Sequence, residues 1–189
     1  MKSIFVILLA AFAAACSAPG PREPDRYFVL DAGTAQAVEP RSGTSLVVAP
    51  TSASSFYDTQ DIAYSRAPGV RAYYQFNRWT ERPQRSIHAQ LASRFGPGVP
   101  GGALRLNTHL EEIYHDASEQ PGSARIAITA ELVDTADRAV LARRTFTRSA
   151  PAASYDAPGA VRGFNQALAA LIGDIEGWID AEVRPKSRR

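Results

Sequence analysis

Few side chains in this sequence can ligate a metal or activate a nucleophile: three histidines and one cysteine in 189 residues. Two of the histidines bound the stretch "HLEEIYHD", which also holds Glu111, Glu112 and Asp116. Imidazoles and carboxylates at short spacing are the raw material of a metal centre. The stretch reads as a strand, however, and adjacent strand side chains point to opposite faces. His109 and His115 have equal parity, which puts them on one face about 20 Å apart at ~3.3 Å per residue, too far to share an ion. Exposed strand positions are therefore expected for both, and His88 falls in a helical segment. Asp58 and Asp61 in "FYDTQD" form a carboxylate pair without further ligands. No serine sits in a nucleophile elbow. The sequence predicts no enzyme, no metal and no cofactor other than a covalent lipid.

That lipid is expected on Cys16. Lys2 is followed by the apolar run "IFVILLAAFAAA", too short to span a bilayer and typical of a secretory leader. Ala13, Ala14 and Ala15 then precede the cysteine. Small residues followed at once by cysteine resemble a bacterial lipobox, in which the thiol is acylated and becomes the new N-terminus. Ala13 stands where leucine is usual. Ser17, rather than Asp, follows the cysteine, which resembles the signal for transfer to the outer membrane. "SAPGPREPD" is too rich in Pro and Gly for a helix or central strand and reads as a tether. The expected divisions are a removed leader at 1–15, a lipidated cysteine and tether at 16–25, a folded domain at 26–183 and a basic tail at 184–189.

Charge narrows the partners. The formal net charge is +2, but Lys2 and the tail "RPKSRR" hold five of the 21 basic residues. The remainder of the chain is slightly acidic, which excludes a nucleic-acid surface. The tail is expected to fray, or to touch anionic lipid or an acidic partner.

Aromatic residues crowd two neighbouring stretches, "FYDTQDIAYSR" and "YYQFNRWTERP". Aromatics at such density form either core or contact surface. The candidate partner-binding residues are Phe56, Tyr57, Tyr64, Arg78 and Trp79.

The elements that must hold them follow from periodicity. "RYFVL" and "TSLVVAP" read as strands, the second buried. "DIAYSR" and "GVRAYYQFNRW" read as a hairpin about "APG", with Val70, Ala72, Tyr74 and Phe76 on one face. Pro83 opens a helix with Ile87, Leu91 and Phe95 as its stripe. "GPGVPGG" ends it. Leu104, Leu106, Thr108 and Leu110 alternate along one strand, and Ile126, Ile128, Ala130 and Leu132 along the next. "DTADR" turns into a third strand. Val161, Phe164, Leu168, Leu171, Ile172, Ile175, Trp178 and Ile179 line a long final helix that starts near Asp156. The expected fold class is α+β: a single domain, mainly an antiparallel β-sheet, with two helices packed on one face.

A lipobox, "YFVLD", the two aromatic stretches and the Asp174/Trp178 ending, in this order, resemble the ABC-type transport auxiliary lipoproteins. That family includes the lipoprotein of the paraquat-inducible and Mce-type lipid transport systems. Ser55 and Tyr57 stand where the family often has Pro and Leu. The resemblance implies a non-enzymatic part at the periplasmic face of the outer membrane. Its implied partners are a periplasmic Mce-domain protein with an inner-membrane permease and ATPase. It carries over no catalytic residue. Phospholipid binding and homo-oligomerisation stay open. So do two other readings: an assembly lipoprotein for another outer-membrane complex, or a small periplasmic lipid carrier.

Overall fold

The structure, a computed structural model, describes residues 23–33, 46–95 and 103–183. Cys16, most of the tether, "GPGVPGG" up to Gly102 and the basic tail lie outside the described residues. Among the described residues no helix is long and apolar enough to cross a membrane.

The chain forms β1 (Arg26–Phe28), β2 (Leu46–Val48), β3 (Ser52–Ala53), a 3₁₀ turn (Ser55–Tyr57), β4 (Asp61–Ser65) and β5 (Ala72–Trp79). Then come α1 (Pro83–Phe95), β6 (Leu104–Asp116), β7 (Ser123–Asp134), β8 (Val140–Pro151) and α2 (Ala157–Val183). All eight strands join one sheet in the order β1-β5-β4-β6-β7-β8, with β2 and β3 also paired to β6. β6, β7 and β8 form a long antiparallel meander. The other edge of β6 receives β2, β3 and β4, all parallel to it. β1 lies parallel to β5. The fold class is as expected, an α+β single domain, with a mixed sheet. Alternation does not reveal strand direction, since both kinds of ladder share a period of two.

One face of the sheet carries both helices. Leu104, Leu106, Thr108, Leu110 and the alternating residues of β7 turn inward and are buried. The eight apolar residues of α2 named above close over them. α1 adds Ile87 and Leu91, both at 0% exposure. The helices touch through Arg94 and Glu176, whose side chains lie 2.6 Å apart. The chain after β1 threads between them. The Gln90 side chain donates to Leu30 O and accepts from the Ala32 amide, while Asn165 accepts from the Asp31 amide. Such long-range bonds fix a segment that has no ladder of its own.

The ends of α2 are set by chemistry and by contact. The Asp156 carboxylate accepts the Gly159 amide at 2.8 Å, an N-cap. Gly163 lets the helix approach the sheet closely: an added Cβ there would lie 2.9 Å from the Ala124 Cβ and 3.0 Å from Pro151 O.

Two irregularities change which residues share a face. The β6–β7 register shifts between Leu110 and Glu112. This bulge reverses the alternation beyond it. Ile113 and His115 therefore turn inward, and His115 is buried at 0% exposure. The expectation that His109 and His115 share an exposed face is thus corrected. The β4–β5 register also shifts, between Asp61 and Ala63. Ala72, Tyr74 and Phe76 keep one half-buried face between exposed Tyr73 and Gln75, but Val70 lies exposed in the turn, and beyond Phe76 the alternation lapses so that Trp79 turns inward.

Candidate interaction surface

The helix-free face of the sheet holds the aromatic cluster, and its elements explain how. The turn at Ser55–Tyr57 follows β3 and lies over the sheet where β5 begins. Phe56 stacks on Tyr73 with ring centroids 4.6 Å apart and planes 14° from parallel. Tyr57 meets Phe56 edge-on at 5.2 Å. The Tyr73 hydroxyl donates to Phe56 O at 2.7 Å, locking turn to strand. Phe56 is half-buried and Tyr73 is exposed, so the stack offers a rigid apolar surface.

Arg71 braces this cluster from below. Its guanidinium lies 3.7 Å from the centroid of Tyr114, a cation–π contact. Its Nε donates to the Tyr57 hydroxyl at 3.3 Å, and Glu112 lies 3.5 Å away. Arg125 approaches the same carboxylate at 3.3 Å. Burial pushes the Tyr73 and Tyr114 hydroxyls above their ordinary range, so both remain neutral donors at physiological pH.

The five candidate contact residues separate. Phe56 belongs to the exposed stack. Tyr57 sits beside it but is buried at 8% exposure. Tyr64 pairs with Tyr74 at 4.8 Å at the hairpin end of the sheet. Arg78 is bound to Asp61 at 2.7 Å. Trp79 is a core residue at 1% exposure, packed edge-on against Phe164 of α2 at 5.5 Å. A side chain so enclosed is unavailable to a partner. Sequence reasoning passed over Arg71 and Tyr114, which face each other only because β5 and β6 share the neighbour β4.

The "FYDTQD" carboxylates do not pair with each other. Asp58 accepts from Arg82 and Gln84 at the start of α1, and Asp61 holds Arg78. They clasp the aromatic turn to the helix and to β5. Glu111 and Glu112, flanking the bulge, turn to one face yet serve different partners: Thr129 donates to Glu111, while Glu112 takes the two arginines. Among the described residues no three metal-ligating side chains converge.

His109 lies on the helix-free face in a polar groove of about 360 Å³ with Ser52, Glu111, Glu131 and Arg143. Ser52 Oγ is 2.8 Å from its Nδ1 and Ser54 Oγ is 3.2 Å from its Nε2. The Glu111 carboxylate is 3.8 Å from Nε2, beyond hydrogen-bonding distance. The imidazole is thus not oriented by a carboxylate as in a hydrolytic triad. His115 is enclosed instead. Its Nε2 lies 3.0 Å from Pro121 O, which can only accept, so Nε2 carries the proton. Nδ1 then accepts from the Tyr74 hydroxyl at 2.7 Å. Burial lowers the His115 pKa, and burial pushes Tyr74 up to about 12.

A family model described as ABC-type transport auxiliary lipoprotein component matches residues 28–176. No curated protein matches the chain. Among solved structures, a protein of Xanthomonas campestris is similar over 83% of this chain and 96% of its own, at 22% identity and a TM-score of 0.70. A second crystal structure, of an uncharacterized protein, covers 83% of this chain and 99% of its own at 15% identity and a TM-score of 0.65. A hypothetical protein of Chlamydia trachomatis reaches a TM-score of 0.50 at 9% identity, over 74% of this chain and 96% of its own. These likenesses show the fold.

Proposed function

Because the chain belongs to the ABC-type transport auxiliary lipoprotein family, we propose that it is a lipid-anchored, non-enzymatic docking subunit of an Mce-type envelope lipid transport system. In this reading Cys16 carries the lipid and Ser17 directs the protein to the periplasmic face of the outer membrane. The domain then receives the periplasmic Mce-domain protein, which an inner-membrane permease and ATPase serve from the other side.

The observation that carries the docking role is the Phe56–Tyr73 stack. An aromatic pair held rigid by Tyr73–Phe56 hydrogen bonding and braced by Arg71 has little entropy left to lose on binding. Tyr and Arg are the side chains that dominate interface energetics. The carrier reading has less support. Among the described residues the cleft between α1 and α2, lined by Ala32, Gln90, Arg94 and Ile172, is mainly apolar but holds only about 210 Å³, while the larger grooves, of about 360 and 670 Å³, are mainly polar. Ligand pockets usually hold about 300–1,000 Å³.

The test is recovery of the full-length protein from envelope extracts after cross-linking. The Mce-domain protein is expected in the wild-type pull-down and depleted with Tyr73→Asp. Recovery of no Mce-domain protein, or of a β-barrel instead, overturns the reading.

A further inference from the structure

The end of the sheet that carries the β4–β5 hairpin has an apolar tip. Residues 66–70 are all exposed, and Ala67, Pro68, Gly69 and Val70 bear no charge. Val70 is 54% exposed. The tip is ordered by its own turn. The Val70 amide donates to Ala67 O at 3.2 Å, and Gly69 takes φ +73° after Pro68, the residue pattern of a type II turn. Arginines flank it, each laid over a ring: Arg66 is 5.0 Å from the Tyr64 centroid and Arg71 is 3.7 Å from that of Tyr114. Tyr155 stands alongside. Its hydroxyl donates to Ala117 O, and the Ala117 amide donates to Ser65 O at the hairpin root. Apolar residues therefore project furthest, with Tyr and Arg behind them. Bilayer interfaces sort side chains in that order of depth, with aromatic rings and arginines at the headgroups.

Chain direction points to the same end. β5 descends from the hairpin, and β1 runs parallel to it. β1 therefore begins at its hairpin-side end. Arg26 pairs with Asn77, whose neighbour Arg78 faces Asp61. Tyr64 is three residues beyond Asp61, so Arg26 lies about 10 Å below it at ~3.3 Å per residue. Cys16 lies ten Cα–Cα steps before Arg26, a reach of up to roughly 33–36 Å. A lipid on Cys16 can thus hold this end against the membrane. α2 starts at this same end and runs away from it, at ~1.5 Å per residue carrying the chain about 40 Å from where it starts.

Resting on the lipid-anchor reading above, we propose that the hairpin tip Ala67–Val70, with Tyr155, lies on the bilayer surface and fixes the orientation of the domain. Acidic groups share this end. Asp116 accepts from Ser118 within its loop, Glu119 is exposed, and Asp156 caps α2. With both signs present, the contact depends on the apolar tip and the tether rather than on anionic lipid.

The experiment uses the full-length chain with Val70→Cys or Leu141→Cys, the latter exposed at the opposite end of the sheet. The protein is recovered from bacterial membranes, spin-labelled and reconstituted into vesicles of phosphatidylethanolamine and phosphatidylglycerol. Intact mass reads acylation of Cys16. A label at position 70 should be reached by oxygen and shielded from an aqueous nickel chelate, and one at 141 the reverse. Equal nickel access at both positions on acylated protein overturns this proposal alone. An unmodified Cys16 overturns the anchor reading and this proposal with it.

Discussion

Gly163 and Gly177 lie on the same helix, α2, yet replacing each with alanine should move stability in opposite directions. At Gly177 an added Cβ meets nothing within 4 Å. The only effect there is relief of the helical glycine penalty, about 0.5–1 kcal/mol in favour of alanine. At Gly163 the same methyl would lie 2.9 Å from the Ala124 Cβ, 3.0 Å from Pro151 O and 3.2 Å from Ala150 O. None of these atoms can swing aside. Ala124 is held by ladders on both sides, to His115 and Ala150. The helix must lift from the sheet, and overpacking of this kind costs roughly 1–3 kcal/mol. Less the propensity gain, Gly163→Ala should cost roughly 0–2.5 kcal/mol net, a little over 1 kcal/mol at the middle of the range. Each kcal/mol shifts the melting temperature of a domain this size by about 2–4 °C. Gly163→Ala should therefore melt several degrees lower and Gly177→Ala a degree or more higher. Thermal melts, with urea titrations checking that the m-value is unchanged, measure both. If Gly163→Ala is as stabilising as Gly177→Ala, α2 does not approach β7 as closely as described.

Three further outcomes are expected. Burial lowers the His115 pKa below its ordinary 6.5, so its contribution to stability is full above that pH and fades as pH falls through the lowered native value. The urea midpoint should fall on mild acidification, and less so in His115→Gln. The Asp156 carboxyl is held low chiefly by the Ser154 hydroxyl, opposed by burial and aided by the Gly159 amide. Its capping contribution is present above pH 3.8 and lost as pH falls through the native value. Asp156→Ala should cost about 1 kcal/mol at neutral pH, read by chemical denaturation, and should shrink that acid-dependent loss. Cys16→Ala should release a folded domain into the periplasm or leave it uncleaved at the inner membrane, as fractionation would show. Unchanged outer-membrane residence would remove the lipid-anchor reading.

Much of this architecture is legible in the sequence where one face is buried without interruption. Leu104 to Leu110 and Ile126 to Leu132 alternate because that half of the meander is regular. The α2 stripe is readable because a long helix on a sheet buries one broad side. What stays hidden depends on single inserted residues and on pairing between distant segments. The bulge after Leu110 leaves a mark in hindsight: Leu110 and Ile113, both buried, lie three apart in a structure of period two. Without it His115 reads as a surface residue. Trp79 reads as a contact candidate for a similar reason: alternation from Ala72, Tyr74 and Phe76 would turn it outward, and the irregular β4–β5 register brings it inward. Of the candidate surface, Phe56 was readable from aromatic density. Arg71 over Tyr114 was not, because nothing local in either stretch specifies the other.

The two edges of β6 also impose an order of assembly. On one side it meets β7, which in turn pairs with β8, its successors along the chain, through short connections. On the other it takes strands that precede it: Leu46 pairs with Leu104 and Tyr64 with His115. Local antiparallel pairing closes quickly, whereas distant parallel pairing must first overcome loop-closure entropy. β4 and β5 can close their own hairpin and receive β1, but β2 and β3 have no template until β6 has emerged, although they are made before it. During that interval the apolar residues of "TSLVVAP" and of the aromatic turn are left to water or to a holding chaperone. Segments made early in the chain, β2 and β3, are thus among the last to dock.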